Sequence, residues 1–485
     1  MAFTRRAKET IALMSIMGIL ITYVETMVTP ALPVLVKFFD TNYDQLSWII
    51  TAYILMGTVS AAIFGRLADI YGKKRIFVLL AGIYTLAISF GGFATTLPQF
   101  IAIRAVQGLG MGMFPVAYAL LNDQVPRENL ALAQGIVSST FTGGAAVGLV
   151  LGAYITQYFG WQWSYHSAIP VAFGLFIASI YIIKDYAPRH SETVDFGGVA
   201  ALAGSVILLI LGLSEGQYWG WDSPSTIGVF AVSILAFVAF IYVERKVSMP
   251  FVSLKLLRIR NVFLANMAGM FAMAGMFFLF YTVPTMLQDP EPAGFGVSII
   301  TSGLTLLPAA LASMIFAPLS ARITTNRGPK VAILIGSVIL FLSYLALLFN
   351  RQTTLSILED ATVLGISLSF IFVGVINILL VSTPPGEAGV STGMNTVFRN
   401  IGTSIAPAIG GVLETTYMLP VLVGVLNVKI AGLPVMPVEE NFPYSLSFQY
   451  IYLVGMVFLV LTVIFALWIM SLKQWYQISA VNLPV

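Results

Sequence analysis

Residues 65–75 read GRLADIYGKKR and join two long apolar runs of the chain. Gly65 and Gly72 bracket the middle of this stretch, and glycine permits the backbone conformations of a tight turn. The spacing therefore predicts that two helices meet here, close to one face of a membrane. Asp69 stands among four cations. It is expected to pair with one of them within the turn or to interact with the positively polarised N-terminus of a helix. The alternative is a plain turn that only carries positive charge.

The composition indicates that a lipid bilayer surrounds most of the chain. Of 485 residues, 58% are hydrophobic and 9% are charged, whereas a soluble domain carries about 25% charged residues. The net charge of +3 is small, so we expect no nucleic-acid partner. The chain has no cysteine and two histidines, His166 and His190, which excludes thiol catalysis and argues against a zinc enzyme.

The apolar runs predict an all-α membrane protein of fourteen transmembrane helices, since a spanning helix needs about 20 mostly apolar residues. The runs lie near residues 11–36, 45–66, 75–95, 98–121, 131–157, 163–183, 196–214, 226–243, 261–287, 297–320, 331–349, 355–381, 389–416 and 447–472. No small-residue cleavage site follows the first run, so we expect a retained helix. The long connection 417–446 is expected to dip into the interface or to fold onto the rim.

The basic residues predict the orientation of these helices. With a cytoplasmic N-terminus and alternating helices, 19 of the 24 lysines and arginines fall on the cytoplasmic side, three fall outside and two lie within helices. This asymmetry agrees with the positive-inside rule. We therefore expect a multi-pass plasma-membrane protein with both termini in the cytoplasm.

Several motifs resemble those of the major facilitator superfamily. The stretch 65–75 is similar to the signature between helices 2 and 3 of that family. Residues 48–53 (WIITAY), 104–108 (RAVQG) and 384–389 (PPGEAG) resemble motifs of its fourteen-helix drug:proton antiporter branch, in the same order along the chain. The resemblance implies a major facilitator fold. In the first motif it implies gating roles for Gly65, Asp69, Gly72, Lys73 and Arg75.

A weak internal repeat supports a division into two halves. Residues 319–330 (LSARITTNRGPK) follow helix 10 as residues 67–75 follow helix 2, and they keep basic residues and Gly328 but have lost the acid. Internal repeats of this kind are typical of transporters that bind substrate near the midplane. We predict an N-terminal six-helix bundle (1–190), two inserted transmembrane helices (191–250) and a C-terminal six-helix bundle (251–485).

Three charged residues fall within the predicted spans: Glu25, Arg104 and Arg399. Each costs about 2.5–3.5 kcal/mol on the insertion scale unless it is paired or hydrated. At 1.5 Å per residue, Glu25 lies roughly 21 Å from the inner face and Arg104 roughly 9 Å from the outer face. In a hydrocarbon core about 30 Å thick the two depths coincide, and a direct or water-bridged pair is expected.

Glu25 is predicted to bind the coupled proton and to recognise cations, and Arg104 is predicted to adjust its proton affinity. Burial and a nearby cation shift a carboxyl pKa in opposite directions, so a change in their distance changes proton binding. The alternative is a static ion pair that fixes helices 1 and 4. Arg399 is predicted to face water, an anion or a substrate carboxylate, or else to bond backbone carbonyls at a helix break.

Other candidate residues lie on helices that are expected to line the cavity. Besides Glu25 and Arg399, the predicted substrate contacts are Tyr23, Tyr53, Gln107 and Phe141. Glu414 is interpreted as a solvated residue at the outer rim rather than as a second proton site, with the capture of cations as an alternative role. Asp123 is expected to cap helix 4 or to pair with Arg127.

Gly144, Gly148 and Gly152 recur every four residues on helix 5. This spacing places them on one face, where they let another helix approach closely. They resemble the antiporter signature of the family and are assigned to gating, although Leu149 and Ala153 stand where that signature has proline and glycine. Ordinary small-residue packing explains them equally well.

Two functions are compatible with these features. The first is a proton-coupled exporter of lipophilic or cationic small molecules that works by alternating access. The second is a transporter of the same fold for a metabolite, sugar, organic anion or lipid, which the altered helix-5 signature and the buried arginines favour. In both cases we expect a monomer in the bilayer that binds protons and a small-molecule substrate, with no cofactor, metal or enzymatic activity.

Overall fold

The computed structural model describes residues 4–125, 127–184, 196–247, 254–349, 353–384, 388–426 and 436–470. These residues form long helices and one small antiparallel sheet. In chain order the elements are α1 (Arg5–Thr26), α2 (Leu32–Phe38), α3 (Tyr43–Tyr71), α4 (Lys73–Gly91), α5 (Leu97–Gly108), α6 (Met113–Gln124), α7 (Arg127–Phe159), α8 (Trp161–Ile182), α9 (Phe196–Trp219), α10 (Pro224–Glu244), α11 (Leu254–Leu257), α12 (Arg260–Gln288), α13 (Ile299–Arg327), α14 (Pro329–Phe349), α15 (Thr354–Ser382), α16 (Ala388–Thr416), β1 (Met418–Leu426), β2 (Met436–Pro443) and α17 (Ser445–Trp468).

The helices have the length and composition of membrane spans. In the described ranges, eleven helical segments are long and apolar enough to cross a membrane. The helices α7, α9 and α16, of 33, 24 and 29 residues, pack among these segments. The helical segments coincide with the predicted runs, and most extend a few residues beyond the predicted ends. The chain is therefore a multi-pass, all-helical membrane protein.

The interruption between α1 and α2 follows from the local sequence Thr29-Pro30-Ala31-Leu32-Pro33. Proline has no backbone N–H and fits the first turn of a helix better than its interior. Pro30 stands at the start of a 3-10 turn, Thr29–Ala31, and Pro33 stands in the first turn of α2. As a result α1 ends at Thr26, directly after Glu25.

Separate hydrophobic cores form in the two halves of the chain. Among the described residues, one cluster of buried apolar side chains comes from residues 7–183, with Tyr281 added from the other half. Two further clusters come mainly from residues 202–469. We call α1–α8 the N-terminal helices and α12–α17 the C-terminal helices. Between them α9 and α10 pack on each other, and α9 also contacts α3 and α16.

The turn predicted at residues 65–75 is shorter than the sequence suggested. Helix α3 continues through Gly65 and ends at Tyr71, and α4 begins at Lys73, so that Gly72 alone forms the connection. Gly72 has φ 104°, a left-handed conformation that favours glycine. Gly65 instead packs inside α3 against Pro115. The turn therefore requires glycine at position 72, as predicted, but not at position 65.

The connection 417–446 contains a β-hairpin, which the all-α prediction did not include. β1 pairs with β2 in antiparallel register from Met418 opposite Pro443 to Leu426 opposite Met436, with an irregularity between Leu422 and Gly424. Alternating β-branched residues in β1 favour a strand. The sequence analysis treated the same residues only as an apolar loop, because a two-stranded sheet gives a weak signal beside long helices.

The glycine face of α7 packs against α1, as the four-residue spacing predicted. A Cβ atom on Gly148 would lie 2.0 Å from the Thr26 Oγ1 and 2.7 Å from the Tyr23 carbonyl oxygen. At Gly144 and Gly152 the added atom would meet the backbone of α1 at 2.7 and 2.6 Å. The close approach allows Thr26 Oγ1 to donate a hydrogen bond to the Ala145 carbonyl at 3.0 Å.

A matched pair of substitutions on α7 tests this contact. Gly148→Ala should lower the free energy of unfolding by about 1–3 kcal/mol, because the backbone of α1 cannot move aside cheaply. A Cβ on Gly143, in the same helix, would meet nothing within 4 Å. Gly143→Ala should therefore stabilise the protein by roughly 0.5–1 kcal/mol through helix propensity. Thermal unfolding of both variants in detergent measures the difference, and equal melting temperatures would contradict the packing.

Candidate functional site

The N-terminal and C-terminal helices are joined at the end of the molecule where α1 ends and α3 begins. Gln288 Nε2 donates a hydrogen bond to the Pro30 carbonyl at 2.7 Å, and the Tyr281 hydroxyl donates one to the Tyr43 carbonyl at 2.6 Å. Other hydrogen bonds across this boundary join Tyr43 to Asp289, Asp44 to Thr415 and Gln157 to Ile300. We call this set of residues the seam.

The opposite end of the molecule, which we call the basic end, carries Arg5, Lys73 and Lys330. There the hydrogen bonds between described side chains stay within one group of helices. Thr10 bonds Gln124 within the N-terminal helices, and Lys330 bonds the end of α17 within the C-terminal helices. In the described ranges, the polar contacts between the two groups lie at the seam. This arrangement joins the two groups at the seam end, and none of the hydrogen bonds named for the basic end joins them there.

Glu25 is a partly exposed carboxylate in the last turn of α1. Its side chain makes no hydrogen bond and no ion pair with another described residue. It lies within electrostatic range of Arg104, Tyr53 and Tyr84. The group is therefore held in an aromatic, membrane-depth environment with its oxygens available to a proton or a cation.

Arg104 is held by three hydrogen bonds to neighbouring polar groups. Its Nε donates to the Ile49 carbonyl at 3.2 Å, and its Nη1 donates to the Val24 carbonyl at 3.1 Å and to Gln107 Oε1 at 3.2 Å. The guanidinium also lies 4.2 Å from the centre of the Tyr53 ring. The bond to Val24 confirms that Arg104 and Glu25 share a depth. Of the expected direct or water-bridged pair, the direct form is not present, because three guanidinium donor contacts go to two backbone carbonyls and to Gln107.

The other predicted substrate contacts lie within the N-terminal helices. Gln107 accepts from Arg104 and donates to the Ala87 carbonyl at 3.3 Å. The Tyr23 hydroxyl donates to the Ser164 carbonyl at 3.3 Å, and Tyr53 is buried beneath Arg104. The side chain of Phe141 lies outside the described residues. The structure thus brings Tyr53, Gln107 and Arg104 together in one network beside Glu25.

Arg399 lies across the molecule on α16, and its environment differs from that of Arg104. Its guanidinium lies 4.0 Å from the centre of the Phe372 ring, and its Nε is buried with no acceptor among the described residues. It borders a small cavity whose other walls are apolar and include Gly269, Met273 and Met276. A buried donor without an acceptor is costly, so this group is suited to an anionic ligand.

Lys73 of the GRLADIYGKKR stretch is anchored to α6. Its Nζ lies 2.7 Å from Asp123 Oδ2 and also donates to the Ala119 carbonyl. Asp123 therefore pairs with Lys73, because the one-residue turn brings the start of α4 beside the end of α6. The side chain of Arg127, the partner that the sequence analysis expected, lies outside the described residues. Arg75 is exposed at the start of α4, and the side chain of Asp69 lies outside the described residues.

The Lys73–Asp123 pair can be tested by charge reversal. Asp123→Asn should lower the melting temperature by about 2 °C, since a partly exposed ion pair contributes up to about 1 kcal/mol. The double exchange Lys73→Asp with Asp123→Lys should recover at least half of that loss. A double variant that melts lower than both single variants would show that the two residues act independently.

Sequence reasoning missed a group of acids at the seam. Glu414, interpreted as a solvated rim residue, is 0% exposed, so that interpretation was wrong. Asp289 and Asp44 are also buried there. Burial raises the pKa of Asp289 to about 7. The hydrogen bond from Tyr43 and the charge of Lys37 lower this pKa but do not outweigh burial. The acids come from three distant stretches of sequence, and the only signal was their apolar surroundings.

Comparison with known proteins agrees with this architecture. The family model described as Major Facilitator Superfamily matches residues 14–407. Multidrug resistance protein 3 of Bacillus subtilis is 27% identical over 77% of this chain and 73% of its own length. The tetracenomycin C resistance and export protein of Streptomyces glaucescens is 27% identical over 80% and 72%. The lincomycin resistance protein of Streptomyces lincolnensis is 25% identical over 84% of each chain.

Solved structures support the same fold at lower sequence identity. The POT family transporter PepTSo superposes with a TM-score of 0.67 at 13% identity, over 98% of this chain and 99% of its own. The nucleoside transporter NupG superposes with a TM-score of 0.64 at 12% identity, over 95% and 100%. At these identities the likeness concerns the fold alone. With the family match over most of its length, the chain belongs to the Major Facilitator Superfamily.

Proposed function

We propose that the chain is a proton-coupled exporter of lipophilic or cationic small molecules that works by alternating access. The observation that carries this proposal is the Glu25 carboxylate, which lies at membrane depth without an ion pair or hydrogen bond among the described residues. The relatives named for multidrug or antibiotic resistance support the export direction. A carboxylate in a membrane span costs free energy unless it has a task or a partner.

The proposed architecture has fourteen spanning helices with both termini in the cytoplasm. It comprises an N-terminal six-helix bundle (1–190), two inserted helices (191–250) and a C-terminal six-helix bundle (251–485). The eleven apolar segments, together with α7, α9 and α16, support the count. The excess of lysine and arginine at the basic end supports the orientation. The seam then faces the outside of a plasma membrane, and the protein works as a monomer in the bilayer.

In this proposal a proton and a cationic substrate compete for Glu25. An ionised carboxylate attracts the cation, and protonation removes that attraction. Arg104 positions α1, α3 and α5 around Glu25 through its bonds to Val24 and Ile49. The hydrogen bonds across the seam support a state that is closed toward the outside and takes substrate from the cytoplasm. Proton binding from outside then drives the return step of each transport cycle.

The remaining predicted residues are assigned to support or gating. Tyr23, Tyr53 and Gln107 hold the network around Arg104, and Phe141 is kept as a substrate contact. Rocking of the halves is assigned to the stretch around Gly72 and to the α1–α7 contact. The gating residues are Gly65, Asp69, Gly72, Lys73, Arg75, Gly144, Gly148 and Gly152. No catalytic residue, metal or cofactor takes part in this scheme.

A second candidate is transport of an organic anion by the same fold. It is favoured by Arg399, whose buried Nε has no acceptor among the described residues and which borders an apolar cavity. In that case a substrate carboxylate would bind Arg399 and its apolar part would fill the cavity toward Phe372. Glu25 would then serve the proton alone.

Proteoliposomes with an imposed pH gradient separate the two candidates. We expect a fluorescent lipophilic cation to move against its concentration gradient when the seam side is acidic, and a matched organic anion not to move. Collapse of the gradient with an ionophore should stop the movement. Gradient-driven movement of the anion but not of the cation would instead favour the second candidate.

A further inference from the structure

Two carboxylates at the seam are buried without a cationic partner. Glu414 is 0% exposed, and both of its carboxyl oxygens lack a hydrogen-bond donor among the described residues. Asp289 is 1% exposed; its Oδ1 accepts from the Tyr43 hydroxyl at 2.9 Å, and its Oδ2 has no donor. The two groups lie close enough to repel each other when both are ionised. Neither forms an ion pair within the described ranges.

Three neighbouring helices contribute titratable or charged groups around these two acids. Tyr43 and Asp44 come from α3, Tyr281 comes from α12, and Lys37 comes from α2. Lys37 acts on Asp289 electrostatically but is itself paired with Glu440 of the hairpin, with Nζ 3.4 Å from Oε2. The acids therefore outnumber the cations at this place.

The site exists only while the two groups of helices are in contact. Asp289 is bonded to Tyr43 across the boundary, and the Asp44 amide donates to Thr415 Oγ1, next to Glu414, at 3.2 Å. Gly411, one turn before Glu414, packs directly on the backbone of Asp44. Separation of α3 from α12 and α16 would expose both carboxylates to water.

The chemistry of the cluster indicates a proton as its ligand. Two ionised carboxylates that share a buried site destabilise each other, and one of them then keeps its proton. Within the described residues, no group of acids or histidines has the arrangement to hold a metal ion. The unpartnered Glu414 oxygens are suited to carry a proton and to donate a hydrogen bond inside the seam.

We propose that Asp289 and Glu414 form a proton-binding site that holds the seam closed, distinct from Glu25. Protonation lets both side chains remain buried, and deprotonation favours the separation of α3 from α12 and α16. The site would be loaded from the seam side of the membrane. It goes beyond the transport proposal because it concerns closure of the protein and is independent of the substrate.

The expected pH dependence follows from linkage. In the closed state burial raises the pKa of Asp289 from 3.8 to about 7, whereas in an open, hydrated state the ordinary value applies. The closed state then binds more protons, so it gains stability at low pH and loses it as the pH rises. Between the two values one linked proton changes the closed-to-open ratio by about tenfold per pH unit. Above about pH 7 Asp289 makes no further contribution to this change.

Pulsed electron paramagnetic resonance on spin labels tests the proposal directly. The chain contains no cysteine, so Phe93→Cys and Leu355→Cys give one label on each group of helices. Both side chains are exposed, at 67% and 63%, near the seam end. In nanodiscs the short-distance population should fall between about pH 5 and about pH 7. A distribution that does not change with pH overturns the proposal without any further variant.

Neutral substitutions identify the groups responsible. The double variant Asp289→Asn with Glu414→Gln should remain closed over the whole range, because its side chains mimic the protonated acids. Glu359→Gln, an exposed acid near the same end, should titrate like the labelled parent. The parent titration should also persist in Glu25→Gln, which separates this site from the proposed coupling site. A double variant that still opens with the parent's midpoint contradicts the assignment.

Discussion

Glu25→Gln is expected to abolish proton-driven efflux, reducing it to the rate of liposomes without protein. Glutamine has nearly the same shape as glutamate but cannot take up or release a proton at membrane depth. Because Glu25 makes no hydrogen bond or ion pair with the described residues, the substitution should leave the fold intact. Initial rates of efflux of a lipophilic cation under an imposed pH gradient measure the effect.

The same variant separates coupling from substrate passage. A neutral side chain resembles the protonated state, so the affinity for a cation should fall while uncharged lipophilic substrates still bind. Glu9→Gln provides the control, because Glu9 lies on the same helix but is exposed and pairs with Arg5. It should transport at the parent rate. Full proton-driven transport by Glu25→Gln would rule out the coupling role and leave Glu25 as a local structural residue.

Arg104→Met is expected to give the largest loss of stability. It removes three hydrogen bonds, to Ile49, Val24 and Gln107, and the stacking on Tyr53. Loss of hydrogen bonds from a buried charged group, with acceptors left unpaired, costs about 3 kcal/mol or more. The melting temperature in detergent should fall by about 3 °C or more, since the entropy of unfolding grows with chain length. Arg104→Lys should recover only part of this, because an ammonium cannot span the same acceptors.

Arg399→Met is the matched control for that measurement. Arg399 is less buried than Arg104 and makes no hydrogen bond or ion pair with the described residues, so its removal should leave the melting temperature unchanged or raise it. We therefore expect replacement of arginine by methionine to lower the melting temperature at position 104 but not at position 399. Equal destabilisation would mean that the charge at membrane depth, and not the bonds of Arg104, determines stability.

The fold was largely predictable because helix length in a bilayer is set by hydrophobic thickness. Apolar runs therefore gave the positions of the long helices in the described ranges to within a few residues. The end of α3 was misplaced because no helix breaker occurs between Gly65 and Gly72, so the helix continues to the residue that can adopt a positive φ. The hairpin 418–443 was missed because strand pairing depends on contacts that a local pattern does not contain.

The candidate site was predictable only where the depth of a residue in the membrane determines its neighbours. Counting residues from the membrane faces correctly placed Glu25 and Arg104 at one level. This counting could not show which backbone carbonyls Arg104 would bond, because every residue carries a carbonyl and the choice depends on the tertiary structure. The burial of Glu414 and Asp289 depends on contacts between residues more than a hundred positions apart. Their charge suggested exposure, and only the tertiary structure places them inside the seam.

Proton movement driven by substrate tests the central claim most directly. Proteoliposomes containing a trapped pH indicator are prepared without a pH gradient, and a lipophilic cation is added on one side. Proton-coupled exchange predicts an immediate proton flux in the direction opposite to the cation, in fixed ratio to it, and no flux with Glu25→Gln. Cation movement without any change in internal pH would contradict the account.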